Sequence, residues 1–338
     1  MLKSGASNEK KIIFFVVILS VIAIYYFVQN KLHREKRWPP EVQTVFVESS
    51  LDKSYQPALF YVPPQNGRPT PLLVALHTWS GDYRQLTSIP YFEYCGENGW
   101  AFIHPNFRGP NNNPDATGSD NVIQDIVDAV AYAQNNSKID KRRIYLVGCS
   151  GGGYTGLLVT ARHPKLWAGI SMWAAVTDLE KFYFQSLRRK NGDVVNSLIK
   201  SCGGEPGQAE SIDEQYRRRS PVHFLKKAGG LNIDLNAGIH DGYNGSVPIN
   251  HSLEAFNLLC QANDLNQYKL TEDEIKYFVK NQSVPEHLRK ETGEDLLYGE
   301  KKVLFRRTAG PIRLTIFEGN HEIITGAALD WLSRQVRR

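Results

Sequence analysis

The sequence predicts an α/β fold in which helices cover both faces of a mostly parallel central sheet. Short apolar runs of strand length alternate along the chain with longer stretches whose apolar residues recur at helical spacing, as in residues 119–135. Residues 72–76, LLVAL, are apolar without interruption, which is typical of a strand buried on both faces of a parallel sheet. Strands that alternate with helices imply right-handed crossovers between parallel strands.

The predicted elements follow one another through a single domain at residues 44–338. Strands are predicted at 45–47, 58–62, 72–76, 101–104, 143–148, 169–173, 233–239 and 312–317, and helices at 119–135, 154–162, 247–262 and 323–336. Two polar segments, 181–230 and 263–305, interrupt this alternation. Each fits two interpretations equally, a lid over the mouth of a site or a solvated surface excursion.

The N-terminal residues predict a membrane anchor followed by a tether. After a short tail at 1–11, residues 12–28 carry no charge and have basic residues on both sides, at the short end of a bilayer span. A cleavable signal peptide is the alternative, but its small-residue cleavage site is missing. Residues 29–43, charged and then proline-rich, suit a linker. A sole N-terminal span favours a single-pass membrane protein with its folded domain outside the cytoplasm.

Composition limits the classes of function. Of 338 residues, 41% are hydrophobic and 22% charged, which suffices for a full core. The net charge of +5 is mild, and no basic stripe interleaved with aromatic residues indicates a nucleic-acid partner. The cysteines show neither a CxxC pair nor a Cys/His metal spacing. Two states of Cys95, Cys202 and Cys260 fit the sequence: free thiols, or one disulfide among them.

Residues 143–153, RIYLVGCSGGG, are typical of a strand that ends in a sharp turn and continues as a helix. Ser150 lies at the apex of this turn, where a strained backbone exposes its Oγ above the sheet. Gly148 and Gly152 keep side chains away from the point where strand and helix cross. A bare G-x-S-x-G also occurs by chance, so the interpretation depends on an acid and a histidine elsewhere.

An acid and a histidine follow later strands in the order that such a serine requires. A serine hydroxyl needs a base to take its proton and a carboxylate to orient that base. Asp241 and His321 each come shortly after a predicted strand, the acid before the histidine. His240 is the main rival as base, but it adjoins the acid and precedes the last strand. The sequence therefore predicts Ser150 as nucleophile, Asp241 as acid and His321 as base.

The oxyanion that forms at an acyl carbon needs two backbone donors. The N–H of Gly151, directly after the serine, is one, and the N–H of Trp79, in the loop after the strand at 72–76, is the predicted second. Four residues near these groups are candidates for the substrate pocket: His77, Tyr83, Arg108 and Cys149. Chemistry of this kind uses a covalent acyl-serine, and we expect neither a metal nor an organic cofactor.

Residues from about 70 to 325 resemble the catalytic domain of the prolyl oligopeptidase family of serine peptidases, within the α/β-hydrolase fold. The resemblance rests on GCSGG at 148–152, SP at 220–221, GIHD at 238–241 with VP at 247–248, GNH at 319–321 and NFRG at 106–109. It implies the same nucleophile, acid and base, and an activity on peptide bonds.

The chain departs from that family at three places. Family members commonly have His-Gly where this chain has His77-Thr78, and the loop at 242–246 is longer than usual. Between the predicted membrane segment and the strand at 72–76 there is no room for the β-propeller of many such peptidases. The missing propeller favours a carboxylesterase as the alternative activity.

Three hypotheses about function follow. The first is a membrane-anchored serine hydrolase that cleaves a peptide or ester substrate through an acyl-serine. The alternative enzyme is a carboxylesterase acting on carbohydrate or small acyl esters. From another class, the chain is a catalytically inactive hydrolase fold used as a binding module, against which the complete set of Ser150, Asp241 and His321 argues.

Overall fold

The computed structural model describes residues 37–64 and 67–337. The chain divides into two units, Met1–Pro40 and Glu41–Arg338, and every strand and helix described below belongs to the second. The predicted membrane segment at 12–28 lies outside the described residues. Among the residues that are described, no helix has the length and apolar character needed to cross a bilayer.

A nine-stranded sheet runs through the domain in the order β1-β2-β4-β3-β5-β6-β7-β9-β8. The strands are β1 (Gln43–Glu48), β2 (Tyr55–Tyr61), β3 (Thr70–Leu76), β4 (Ala101–Pro105), β5 (Ile139–Cys149), β6 (Gly169–Trp173), β7 (Ile233–Gly238), β8 (Val303–Ala309) and β9 (Ile312–Phe317). Neighbours from β4 to β9 pair in parallel. Antiparallel pairing is confined to β1 and β2 at one edge and β8 at the other. The predicted mostly parallel sheet is confirmed.

Helices cover both faces of this sheet. They are α1 (Ile89–Asn98), α2 (Asp120–Asn136), α3 (Gly151–Arg162), α4 (Leu179–Arg188), α5 (Gly192–Cys202), α6 (Glu210–Arg218), α7 (Asn250–Ala262), α8 (Glu272–Asn281) and α9 (Thr325–Ser333). Residues of α2, α3 and α7 share one apolar core with Leu72, Val74 and Leu76 of β3. The alternate residues Leu73 and Ala75 are equally buried, as a strand covered on both faces requires. On that other face, α1 and α9 contact each other.

Helix α1 and strand β8 are two of the elements that were not predicted from the sequence. Helix α1 buries only Tyr91, Phe92 and Cys95, so its apolar stripe is short. Strand β8 contains Arg306 and Arg307, which give it a polar pattern. In the structure those two guanidinium groups pair with acidic residues of the preceding segment, Asp295 at 2.9 Å and Glu291 at 2.6 Å. Their pairing explains how charged residues are accommodated in an edge strand.

The polar segment at 181–230 contains most of a three-helix unit, which we call the cap and define as α4, α5 and α6. The cap has its own apolar cluster, which includes Phe182, Leu198 and Tyr216. Tyr154 of α3 belongs to the same cluster, and Trp79 packs against it. The cap is therefore joined to the main domain through apolar contacts beside the serine turn. The sequence did not predict these helices because each of them buries only a narrow stripe of residues and is polar elsewhere.

His251 of α7 holds the first cap helix in place. Its Nδ1 accepts the backbone N–H of Thr177 at 3.3 Å, and its Nε2 lies 2.9 Å from Gln185 Oε1 in α4. These partners satisfy a neutral imidazole with the proton on Nε2. Burial lowers the pKa of His251 from its ordinary value of 6.5 to about 3, and the charge of Lys181 adds to the effect.

The burial of His251 predicts a loss of stability in mild acid. The unfolded chain takes up a proton at this histidine as pH falls through about 6.5, whereas the folded chain does not until about pH 3. Between pH 7 and pH 5 this difference should remove on the order of 2 kcal/mol of unfolding free energy. His251→Gln should reduce the loss between these two pH values by about that amount, as measured by urea unfolding. An equal loss in variant and parent would contradict the assignment.

Candidate active site

Ser150 occupies a strained turn between β5 and α3. Its φ of 57° and ψ of −120° lie in a region that residues with a side chain rarely adopt, at a typical expense of about 1–3 kcal/mol. The turn is held from both sides, because the Ser150 N–H donates to Trp173 O at 2.9 Å and the Tyr154 N–H donates to Ser150 O at 2.9 Å. The structure thus has the sharp turn that the sequence predicts at this serine.

Glycine at two positions allows this turn to press against the loop that follows β3. A Cβ on Gly152 would lie 2.5 Å from Leu76 O and 2.8 Å from His77 O. A Cβ on Gly151 would overlap the backbone N and Cα of Trp79. The peptide groups of Gly151 and Trp79 therefore lie side by side. Within the described chain, neither of these two N–H groups donates a hydrogen bond to another residue.

Hydrogen bonds fix the Thr78–Trp79 peptide. Its carbonyl, Thr78 O, accepts the Gly81 N–H at 3.1 Å and lies 2.9 Å from His77 Nδ1. The next carbonyl, Trp79 O, accepts the Asn111 N–H at 2.8 Å. Because a trans peptide points its N–H away from its carbonyl, these bonds leave the Trp79 N–H directed away from the supporting loops.

Asp241 and His321 form a hydrogen-bonded pair after β7 and β9. Asp241 Oδ2 lies 2.8 Å from His321 Nδ1, and the carboxylate side chain is fully buried. The other oxygen, Oδ1, accepts the N–H groups of Gly242 at 2.9 Å and Val247 at 3.0 Å. In a neutral ring that donates Nδ1–H to the carboxylate, Nε2 carries the lone pair that can accept a proton.

A cavity of about 400 Å³ contains Ser150 and His321 in its wall. It lies at the carboxyl ends of β3, β5, β7 and β9, where parallel α/β sheets place their ligand sites. Among the described residues no hydrogen bond joins Ser150 Oγ to His321 Nε2, a contact that often tightens only when substrate binds.

The cap supplies one wall of this cavity. Phe182 comes from α4, Asn191 from the connection, and Asp193 and Val194 from α5. These residues lie in a polar segment without a motif, so sequence reasoning missed them. The composition of the segment gave no signal, because only two of the four side chains are apolar.

The rival histidine lies elsewhere. His240 Nε2 is 2.7 Å from Glu318 Oε1, and its Nδ1 is 2.9 Å from Gln282 Oε1. The oxygens of Gln282 and Glu318, which accept hydrogen bonds from the ring, raise the pKa of His240. Both ring nitrogens are thus engaged outside the cavity, and the structure brings His321 rather than His240 to the wall that holds Ser150.

Of the four pocket candidates, the structure brings only Cys149 to the cavity wall. His77 is buried against the ring of Phe107, at a centroid distance of 3.8 Å, and burial lowers its pKa. Arg108 is held by Asp125 at 2.6 Å and by Asp52 at 2.6 Å. Each of these two residues is thus engaged in supporting contacts, and neither lines this cavity.

Tyr83 is also placed away from the cavity wall in the described chain, with Arg84 over its ring. All four cysteines are free and buried. Burial raises the pKa of the Cys149 thiol to about 12, so this thiol beside the serine is neutral near pH 7. In the part of the chain that the structure describes, no cluster of acidic, histidine and cysteine side chains could hold a metal ion.

Fold and sequence comparisons define the chain as a protein with an α/β-hydrolase-like fold. Residues 91–292 match the sequence model of the prolyl oligopeptidase family, which is more than half of the chain. The chain belongs to the prolyl oligopeptidase family.

Two curated relatives carry different activities in their names. Feruloyl esterase B of Thermothelomyces thermophilus is 29% identical over 126 residues, which cover 34% of this chain and 43% of the esterase. The uncharacterized peptidase YtmA of Bacillus subtilis is 26% identical over 132 residues, covering 38% of this chain and 48% of the peptidase. In both cases the chain spans less than half the length of the relative it matches.

Solved structures show the same fold at low identity. An acylaminoacyl peptidase in complex with Z-Gly-Gly-Phe-chloromethyl ketone superposes with a TM-score of 0.57 at 16% identity, over 88% of this chain and 42% of the peptidase. The acylaminoacyl peptidase of Pyrococcus horikoshii gives 0.52 at 18%, over 66% and 35%. A thermostable esterase gives 0.51 at 14%, over 88% and 64%.

The close approach at Gly152 predicts a severe effect of a single methyl group. Gly152→Ala would force the new Cβ against two carbonyl oxygens of β3 and its following loop, so the serine turn or the loop must move. We expect hydrolytic activity to fall roughly 100-fold or more, because misplacement near 1 Å is enough to do so. Gly192→Ala is the matched control, since nothing lies within 4 Å of its added Cβ. Similar activity in both variants would contradict the packing argument.

Proposed function

We propose that the protein is a membrane-anchored serine hydrolase that cleaves a peptide or ester bond through an acyl-serine intermediate. The observation that carries this proposal is that His321, paired with the buried Asp241, lines the same cavity as the strained Ser150. The anchor rests on the uncharged segment at 12–28 alone.

In the proposed first half-reaction, Ser150 Oγ attacks the acyl carbon while His321 Nε2 takes its proton. Asp241 keeps the Nδ1–H of His321 in place and stabilises the imidazolium that forms. Negative charge develops on the carbonyl oxygen of the substrate. The N–H groups of Gly151 and Trp79 supply the two donors for this charge, which is consistent with their lying side by side.

In the second step His321 returns the proton to the leaving group, and the bond to that group breaks. Water then attacks the acyl-serine, with His321 again acting as base, and the acid product leaves with Ser150 restored. The buried carboxylate of Asp241 favours this cycle, because it holds the histidine in one tautomer throughout.

Covalent labelling tests the proposed nucleophile and base. A fluorophosphonate probe should label the protein, and Ser150→Ala should abolish labelling. His321→Ala should slow labelling and hydrolysis by about 1,000-fold or more, because the serine then lacks its base. His240→Ala should retain most activity, and equal losses in the two histidine variants would mean that the base is misassigned. No labelling of the parent protein would favour the inactive binding module.

The labelled protein can also be used to test the proposed membrane anchor. In fractionated cells the labelled full-length chain should sediment with membranes, and deletion of residues 1–40 should release it. A labelled band that stays soluble while residues 1–40 are present would contradict the anchor.

A carboxylesterase is the second candidate function. The cavity of about 400 Å³ is closed on one side by the apolar side chains of Phe182 and Val194 from the cap. This size suits a small ligand. The similarity to a feruloyl esterase over 126 residues is consistent with an ester substrate.

Substrate comparison separates the two activities. For an esterase, kcat/KM on p-nitrophenyl acyl esters should exceed kcat/KM on proline-containing peptide amides by at least about 1,000-fold. This ratio is taken after the difference in the uncatalysed reactivity of esters and amides has been divided out. For a peptidase, the peptides should be cleaved at rates in the ordinary enzymatic range, near 10⁴ M⁻¹s⁻¹ or above. Purified Ser150→Ala serves as the blank in both assays.

A further inference from the structure

A loop at residues 242–246 separates the cap from the Asp241–His321 pair. Both of its ends are tied to the acid, because the N–H groups of Gly242 and Val247 donate to Asp241 Oδ1 at 2.9 Å and 3.0 Å. Any displacement of this loop therefore acts on the carboxylate that orients His321.

The inner side of the loop touches both members of the pair. A Cβ on Gly245 would overlap Asp241 Oδ1 and would lie 2.7 Å from His321 Cβ. The backbone at Gly245 thus covers the carboxylate directly, which accounts for the fully buried side chain of Asp241. Water excluded by this backbone cannot compete for the bond between the carboxylate and the imidazole.

The outer side of the loop is held by one arginine of the cap connection. Arg189, directly after α4, donates from Nη1 to Ser246 O at 2.9 Å and from Nη2 to Gly245 O. Among the ion pairs of the described residues, none involves the Arg189 guanidinium, so the two carbonyls are its protein partners. Hydrogen bonds from a charged donor are stronger than those between neutral groups.

The position of Arg189 is set by the helix that precedes it. Lys181 at the start of α4 pairs with Glu254 of α7 at 2.6 Å. Farther along α4, Gln185 bonds to Asn250 at 3.1 Å and to His251 at 2.9 Å. Helix α4 is thus fixed to the main domain along its length, and its end delivers the guanidinium to the loop.

We propose that Arg189 is a positioning residue for the proposed acid–base pair, through which the cap sets the loop that shields Asp241. The inference rests on the proposed function of Ser150, Asp241 and His321. Arg189 does not touch substrate in this role: it holds Gly245 and Ser246, and these hold the carboxylate. The cap therefore has a part in catalysis as well as in forming the cavity wall.

The test compares two adjacent arginines in the full-length protein. Arg189→Ala should lower kcat by roughly 10- to 100-fold with KM changed by less than about 3-fold, because orientation of the base is lost while the cavity wall remains. The rate of fluorophosphonate labelling should fall in parallel. Arg188→Ala, which removes the same charge from the same helix end, should leave kcat within about 2-fold of the parent.

Rescue distinguishes positioning from a general loss of structure. Added guanidinium at millimolar concentration should raise the labelling rate of Arg189→Ala and not that of Arg188→Ala. Arg189→Lys should retain an intermediate kcat, because an ammonium group can donate to these carbonyls without the planar fork of arginine. If Arg189→Ala proves too unstable to assay, two other variants are compared with Arg188→Ala by kcat and labelling rate. One is Arg189→Lys, and the other is Gly245→Ala, which perturbs the loop from its inner side.

The outcomes separate this inference from the proposed function. Labelling of the parent at Ser150 with equal kcat in the Arg189→Ala and Arg188→Ala variants would overturn the role of Arg189 alone. A fall in Arg189→Ala confined to KM would also overturn it, since that result assigns the residue to substrate binding. A parent protein that is not labelled at Ser150 would overturn the proposed function and the role of Arg189 with it.

Discussion

Backbone packed directly against backbone at the serine turn is the constraint on which the rest of the site depends. Gly151 and Gly152 let the start of α3 approach the loop after β3 closely enough that a single Cβ would collide with it. This approach fixes where the Trp79 peptide lies relative to Ser150. The strain at Ser150 is maintained because its N–H donates to Trp173 O of β6 and its carbonyl accepts the Tyr154 N–H of α3.

The sequence predicted the parts of the fold that have a strong period or a strong motif. LLVAL at 72–76 indicates a doubly covered strand, and the serine, acid and histidine motifs each follow a strand of the parallel sheet. The elements that were not predicted have weak local sequence signals. Helix α1 has a short apolar stripe, and β8 carries two arginines whose acidic partners lie in another segment. Such pairing depends on how the chain folds back on itself, which local strand propensity does not report.

The candidate site shows the same division between local and tertiary information. Motif and chain order were enough to place Ser150, Asp241 and His321 as candidates, and the structure brings their side chains toward one cavity. Proximity to a motif was not enough for the pocket. His77 and Arg108 adjoin conspicuous sequence features, yet their hydrogen bonds and ion pairs turn them inward as supports. One wall comes instead from the cap and its connection, far along the chain.

The separate origin of that wall bears on how such a protein changes over generations. The groups proposed for bond cleavage sit on turns of the sheet, whereas Phe182, Asn191, Asp193 and Val194 belong to the cap and its connection. Mutations in the cap can therefore alter which molecules are accepted without rebuilding the reactive groups. Arg189 marks a limit to this freedom, because its contacts with Gly245 and Ser246 reach back toward the acid. Substitutions should therefore be tolerated at the cap residues that line the cavity and restricted at Arg189.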